Sequence, residues 1–437
     1  MSALERFFGL RERGSTVRTE LSAGGTTFLA MAYIVAVHPG ILAAAGMPPG
    51  PVLTATCLSA GLASLAMGLF ARLPIGLAPG MGTNAYFAYA VCGALGVPWP
   101  TALGAVFLSG CAFLLITLTG LRERVVDAIP VGLQQAIAAG IGLFIGFIGL
   151  KNAGLVVDHP ATLVTLGPVA SSTGAVFGVG FVLTVALLAR QVKGALLIGI
   201  VAATAAAIGL GEAEAPTALV SAPPSLAPIA LYLDVPAALG LGLLNLVFAF
   251  AFVDLFDTLA TLVAVGEHGG LMVEGPDGRR RLPRAKAAMV ADSTGTMLGA
   301  LLGTSTVTAY VESTAGITAG GRTGLTAVTV GVLFLLAPFF APLVQVVPLE
   351  ATAPALVVVA AAMLRAAAGI RFDDMTEAGP AALVCLAIPL TFSISDGLSL
   401  GFVAYAAAKL VAGRPREVSA PLMVLAALFV ARFLYLG

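Results

Sequence analysis

Asp254 and Asp257 stand three residues apart in "FAFAFVDLFDTLATLV" (248–263), a run otherwise built of apolar side chains and threonine. On a helix, positions i and i+3 share a face. Two carboxylates on one face of a membrane helix cost roughly 2.5–3.5 kcal/mol each, so their presence asks for a task. A third acid, Glu312, lies in "TAYVESTAG", and Asn84 lies in "GMGTNAYF". An intramembrane carboxylate reads as functional by default. An intramembrane asparagine taken alone reads equally well as a helix–helix hydrogen bond. Ionised carboxylates only accept hydrogen bonds, so these acids suit a neutral ligand rich in N–H donors. No Lys or Arg lies beside them in sequence, and an anion would meet repulsion unless they were protonated.

The elements that must hold these residues are membrane spans. The chain has 437 residues, 59% hydrophobic and only 10% charged, with a mean hydropathy of +1.02. Soluble domains carry about 25% charged residues, and no room remains here for a sizeable soluble domain. Lys plus Arg balance Asp plus Glu, which gives no basic surface for nucleic acid. A spanning helix needs about 20 mostly apolar residues, and such runs recur from residue 20 to residue 436. Two segments depart from the pattern: "IGLAPGMGTNAYFAYAV" (75–91) and "GTSTVTAYVESTAGITAGG" (303–321). Both are third in their half of the chain, and both carry Gly, Ser or Thr where a plain span would carry Leu. Irregular backbone at membrane depth is tolerated only where protein or a cavity satisfies it. A pair of interrupted segments at matching positions points to the central site of a transporter. Half-helix N-termini there would add N–H donors for ligand carbonyls or ring nitrogens. A planar heterocycle with donors and acceptors on one edge, a nucleobase, satisfies both the acids and these amides; a cationic solute satisfies the acids alone.

Orientation follows from basic residues, which favour the cytoplasmic side. The start, "MSALERFFGLRERGSTVRTE", carries four arginines and lacks a signal-peptide core, so residues 1–19 read as a cytoplasmic lead-in. Arg72, Arg122, Arg124, Arg190, Lys193 and the basic loop 267–286 fall inside, as do Arg365 and Arg371. The linker 211–235 has no Lys or Arg and falls outside. About seven spans on each side of it suggest an inverted repeat. Near the end, Lys409, Arg414 and Arg416 want the inside, leaving 417–436 as a partial helix; alternatively 378–412 is one long broken helix.

Other polar residues carry blander readings. Asp292, in "ADSTGT", reads as an N-cap near the cytoplasmic side, and Asp396, in "SISDG", as a turn or cap residue. Arg322 reads as snorkelling to the interface. His38 reads as a satisfied or interfacial histidine rather than a proton relay, and His159 and His268 as loop residues. Trp99 and Tyr86 fit interface and packing roles. Cys57, Cys92, Cys111 and Cys385 lack metal or disulfide spacing and read as small buried hydrophobes. No motif for a hydrolase, metalloprotease or phosphate loop stands out.

Three stretches, "GLAPGMGTNAYFAY", "FAFVDLFDTLATLVAV" and "GTSTVTAYVESTAGITAGGRTGLTAV", together resemble the AzgA-like adenine/guanine/hypoxanthine permeases of the nucleobase–ascorbate transporter superfamily. The resemblance runs from "LERFFGL" (4–10) to the end. It implies an all-α polytopic membrane protein of about fourteen segments in two inverted seven-span repeats, with short strands and half-helices in segments 3 and 10. Residues 20–120 and 236–346 would form a core domain, and 129–210 and 351–437 a gate domain that also makes a homodimer. It implies substrate contacts at Asn84, Asp254 and Glu312, backbone amides near Ala85 and Val311, and Asp257 as a supporting or proton-coupling acid. Ala260 stands where relatives often have Gly. The function implied is purine import across the inner (plasma) membrane by proton symport and elevator-type alternating access, with no cofactor or metal and no enzymatic activity. A sulfate-type anion exchanger or channel of the same fold is the alternative.

Overall fold

The computed structural model describes residues 3–119, 129–240, 243–274 and 280–435. Arg122, Arg124 and residues 275–279 of the basic loop lie outside that set. Among the described residues, nine helices are long and apolar enough to cross a membrane, and three shorter apolar helices accompany them.

The two polar segments are not simple helices. Each forms a three-residue strand followed by a short helix: Leu77–Pro79 then Met81–Ala85, and Val307–Ala309 then Ser313–Thr318. The first continues as a wider coil over Tyr86–Ala94. The strands pair antiparallel, with Leu77 opposite Ala309 and Pro79 opposite Val307. Gly80 N–H donates to Thr306 C=O at 3.0 Å, and Tyr310 N–H to Gly76 C=O at 3.0 Å. A two-stranded ribbon still has two open edges, which lipid cannot satisfy. Hydroxyls from neighbouring helices close them. Ser64 accepts from Leu77 N–H at 2.9 Å and donates to Leu77 C=O at 3.0 Å. Thr296 accepts from Val307 N–H at 3.1 Å and donates to Val307 C=O at 2.9 Å. The same device thus occurs once in each half of the chain, supplied each time by the helix just before the strand: Pro49–Ala66 and Ala285–Leu302.

One set of helices packs around this ribbon: Val17–Met31, Pro49–Ala66, Trp99–Thr119, Leu244–His268, Ala285–Leu302 and Gly324–Leu336. Glycines allow a close crossing of two of these helices. A Cβ on Gly331 would stand 2.7 Å from Gly61 C=O, and one on Gly324 would stand 2.0 Å from Gly68 C=O. The half-helix Ser313–Thr318 lies on Val17–Met31 by the same means, with Gly316 against Ala23 and Thr27.

A second set gathers on Val131–Asn152, which packs against Leu349–Leu364 and Met375–Thr391. Its Gly142 and Gly149 face Ala360 and Ala353, so these glycines serve contacts within this set. Gly82 of the first half-helix also approaches it, at Ile141. The reading of 378–412 as one broken helix does not hold. Met375–Thr391 and Ile394–Val411 are separate helices turning back at Phe392, whose φ is 52°. They run antiparallel, since Gly397 meets Ile388 and Gly401 meets Val384. At the far end of this hairpin the buried Lys409 pairs with Glu417 at 2.5 Å, Glu377 at 3.3 Å and Asp374 at 3.6 Å. Such a network gathers opposite charges where a lone buried ammonium would be untenable.

Candidate functional site

The acids of the opening motif sit on Leu244–His268 and face different neighbours. Asp254 is 1% exposed, and its Oδ2, 3.0 Å from Thr296 Oγ1, shares that hydroxyl's one hydrogen with Val307 C=O. That same hydroxyl bridges Val307, so one threonine ties Asp254 to the strand ribbon. Asp254 Oδ1 is buried without a protein hydrogen bond. Asp257, one helical turn on, is half-buried and lies within electrostatic reach of Glu312 and Tyr33. Thr258, the next residue, faces the ribbon and meets the Thr308 hydroxyl at 2.8 Å.

Glu312 immediately precedes the half-helix Ser313–Thr318, at the end where the helix dipole favours a carboxylate. Its Oε1 accepts from the Tyr33 hydroxyl at 2.9 Å. Tyr33 is 1% exposed and opens the helix Tyr33–Ala43. Ser313 accepts from Gly76 N–H at 3.0 Å, and Tyr310 donates to Pro79 C=O. The second segment is thereby stitched to the first at both ends of the ribbon.

Asn84 is fully buried on Met81–Ala85. Its N–H donates to Gly80 C=O at 2.9 Å, and its Oδ1 accepts from Ser305 Oγ. Its Nδ2 has no partner in the protein. Ala85 closes that short helix, so the helix's leading amides belong to residues ahead of it. Val311 lies just before the second half-helix; its side chain is 48% exposed and its C=O accepts from Thr314 N–H at 3.0 Å.

Several expectations change. Asp292 is not an N-cap: its helix starts at Ala285, and Asp292 is fully buried seven residues further on. Its carboxylate stands beside Asp254 and faces the Thr258 hydroxyl and the Ala309 amide, neither at full hydrogen-bond geometry. Arg322 does not reach outward; its Nη1 donates to Ile317 C=O at 2.7 Å and Gly321 C=O at 2.8 Å, closing the end of the second half-helix. Glu20, fully buried, accepts from the Arg322 and Thr323 amides at 3.0 and 3.2 Å and from the Thr326 hydroxyl at 2.5 Å. Ser393, not Asp396, caps Ile394–Val411; Asp396 sits in the first turn and pairs with Arg432 at 2.7 Å. His268 ends a helix rather than lying in a loop, and meets the Thr318 hydroxyl at 3.0 Å. His38 is satisfied and fully buried.

Sequence reasoning passed over Tyr33, Ser64 and Thr296, and gave Asp292 only a capping role. Their signal was a lone polar side chain within an apolar run, which is weak without knowledge of what it faces. Among the described residues no three His, Cys, Asp or Glu side chains group to hold a metal ion.

Comparisons with known proteins agree on the kind of molecule. The permease family model Xan_ur_permease matches residues 18–432. The chain is 50% identical over 437 residues to a protein of Methanocaldococcus jannaschii described as putative permease MJ0326, covering 100% of this chain and 99% of that one. It is 43% identical to the adenine permease AdeP of Escherichia coli, covering 99% and 96%. It is 41% identical to the guanine/hypoxanthine permease PbuG of Bacillus subtilis, covering 99% and 100%. Among solved structures, the transmembrane domain of a cyanobacterial bicarbonate transporter, BicA, superposes with a TM-score of 0.61 at 16% identity, covering 88% of this chain and 96% of that one. The overall structure of SLC26A9 superposes with a TM-score of 0.62 at 12% identity, covering 91% and 67%. These likenesses show a shared fold.

Proposed function

The chain belongs to the permease family, whose members are multi-pass membrane transporters and not enzymes, and on that footing we propose that it imports purine nucleobases. The observation that carries this reading is the pair of orphaned polar atoms beside the strand ribbon. Asn84 Nδ2 is a buried donor and Asp254 Oδ1 a buried acceptor, and neither has a partner in the protein. A buried polar atom left unmade costs about 1–3 kcal/mol, so a ligand that meets both is favoured. A purine edge carries ring acceptors next to N–H donors. Glu312 and Asp254 accept from its N–H groups in this reading, Asn84 donates to a carbonyl or ring nitrogen, and amides near Ala85 and Val311 complete the pocket. Asp257 supports recognition or carries the coupled proton.

The set of helices around the ribbon would act as a moving core, and the set built on Val131–Asn152 as a gate that also forms a homodimer. The repeated strand-capping device, Ser64 in one half and Thr296 in the other, favours two related halves of inverted topology. In this reading the N-terminus is cytoplasmic, the membrane is the inner or plasma membrane, and a proton gradient drives accumulation. Among the described residues, the polar side chains bonded around the ribbon are acids, hydroxyls, an amide and an imidazole; none is Lys or Arg. This argues for a neutral ligand over sulfate. Vesicles carrying the protein should accumulate labelled hypoxanthine, guanine or adenine, and more so with an inward proton gradient. Uptake of labelled sulfate in place of any purine would overturn the reading.

A further inference from the structure

His38, Thr304, Ser305 and Asn84 form a buried chain of polar groups drawn from three elements. His38 comes from the helix Tyr33–Ala43, Thr304 and Ser305 from the stretch before the second strand, and Asn84 from the first half-helix. All four are fully buried. The direction of each hydrogen bond follows from counting hydrogens. Thr56 Oγ1 donates its one hydrogen to Val52 C=O at 2.7 Å. Toward His38 Nδ1, at 2.8 Å, it therefore accepts, and Nδ1 carries the imidazole hydrogen. His38 Nε2 is then an acceptor. Two hydroxyls stand near it, Thr304 at 3.4 Å and Ser305 at 3.5 Å. Ser305 gives its hydrogen to Asn84 Oδ1, which leaves Thr304 to serve Nε2.

We propose that Ser305, kept free for the task by the Thr304–His38 pair, is a positioning residue that turns the Asn84 amide NH2 toward the ligand. If Asn84 flipped, the Ser305 hydrogen would lose its acceptor, since Thr304 already serves Nε2, and a carbonyl would face the site. The orphaned Nδ2 atom is the consequence. Asn84 thus acts as a donor only, and the ligand must offer an acceptor at that point. The proposal rests on the reading of the site as a purine site and specifies what that site demands.

The test uses the full-length protein in membrane vesicles, with displacement of labelled hypoxanthine by analogues that each lose or weaken one acceptor: 7-deazahypoxanthine, 3-deazahypoxanthine and 6-mercaptopurine, whose thione keeps the N1–H and puts a poorly accepting sulfur in place of the 6-oxo group. In the wild type one analogue should bind at least about tenfold more weakly than the other two, the size of one lost hydrogen bond to a site built for it. In Ser305→Ala, hypoxanthine should weaken by about tenfold and the gap between analogues should shrink to within about threefold, because an amide that is no longer held gives up most of its bond to that acceptor. Thr304→Val should move both quantities in the same direction, since His38 Nε2 then competes for the Ser305 hydrogen; it serves as the readout if Ser305→Ala does not reach the membrane. A purely structural role for Ser305 would lower the amount of protein and leave the pattern among analogues intact. A purine binder whose analogue gap persists in Ser305→Ala, or whose wild type treats all three analogues alike, overturns this proposal alone. Wild-type protein that binds no purine overturns the purine reading, and this proposal with it.

Discussion

Thr296→Val removes one oxygen and keeps the shape of the side chain, at a fully buried position where three polar groups meet. The Thr296 hydroxyl accepts from Val307 N–H at 3.1 Å and stands 2.9 Å from Val307 C=O and 3.0 Å from Asp254 Oδ2. Valine leaves the Val307 amide without its partner and takes a donor from the carboxylate. An orphaned buried amide costs about 1–3 kcal/mol, and loss of a hydrogen bond to a charged acceptor about as much. The two effects share one hydroxyl, so the expected total is about 2–5 kcal/mol. For a chain of 437 residues the unfolding entropy is on the order of 0.9 kcal/mol/K, which makes the expected fall in melting temperature about 2–5 °C. The assay is thermal unfolding of the detergent-purified protein, with Thr296→Ser as the control that keeps the hydroxyl. Hypoxanthine should also lose affinity, because Asp254 is no longer held against the strand. Equal melting temperatures and equal affinities for Thr296→Val and wild type would refute the claim that this hydroxyl joins the acid to the ribbon.

Glu312→Gln and Asp254→Asn should each weaken hypoxanthine binding by about one to two decades, as expected when a ligand loses its charged acceptor; wild-type affinity in both, measured by equilibrium binding, would return these acids to a packing role. Asp257→Asn should reduce proton-driven accumulation in vesicles more than it reduces binding, and equal losses in the two assays would remove its coupling role. Gly331→Ala places a Cβ 2.7 Å from Gly61 C=O and should destabilise the helix crossing by about 1–3 kcal/mol, seen as a lower melting temperature. Asp374, outside the spans, is held well below the usual carboxylate range by the Thr376 hydroxyl and amide, with Lys409 and Arg414 nearby. Its contribution to stability is therefore present above about pH 4 and is lost as pH falls toward its depressed folded value. Asp374→Asn should lower the melting temperature at neutral pH and flatten its fall in acid.

Much of the architecture was legible because the bilayer restricts what a chain can do. Apolar runs of sufficient length announced spans, and the Gly-, Ser- and Thr-rich stretches 75–91 and 303–321 announced the two places where helix gives way. A carboxylate in an apolar run is so costly that Asp254, Asp257 and Glu312 drew attention without any knowledge of their neighbours. What residue types and spacing could not supply was the set of partners across the ribbon. Ser64, Thr296 and Tyr33 look ordinary along the chain, since a hydroxyl in a span can bond its own helix's carbonyls as readily as a distant strand. Asp292 was read as a cap because "ADST" carries the composition of a helix start. Only the tertiary structure sets it in mid-helix, where it faces Asp254 and the Ala309 amide. The two antiparallel helices within 375–411 were ambiguous for a related reason, as an apolar run does not reveal whether the chain continues or doubles back. The turn at Phe392 and the packing of Gly397 and Gly401 on the preceding helix decide it. Local sequence determined where polar groups sit along each segment. Long-range packing, joining residues some 200 to 300 positions apart, decided which of them meet, because at membrane depth each exposed backbone group must find its partner within the protein.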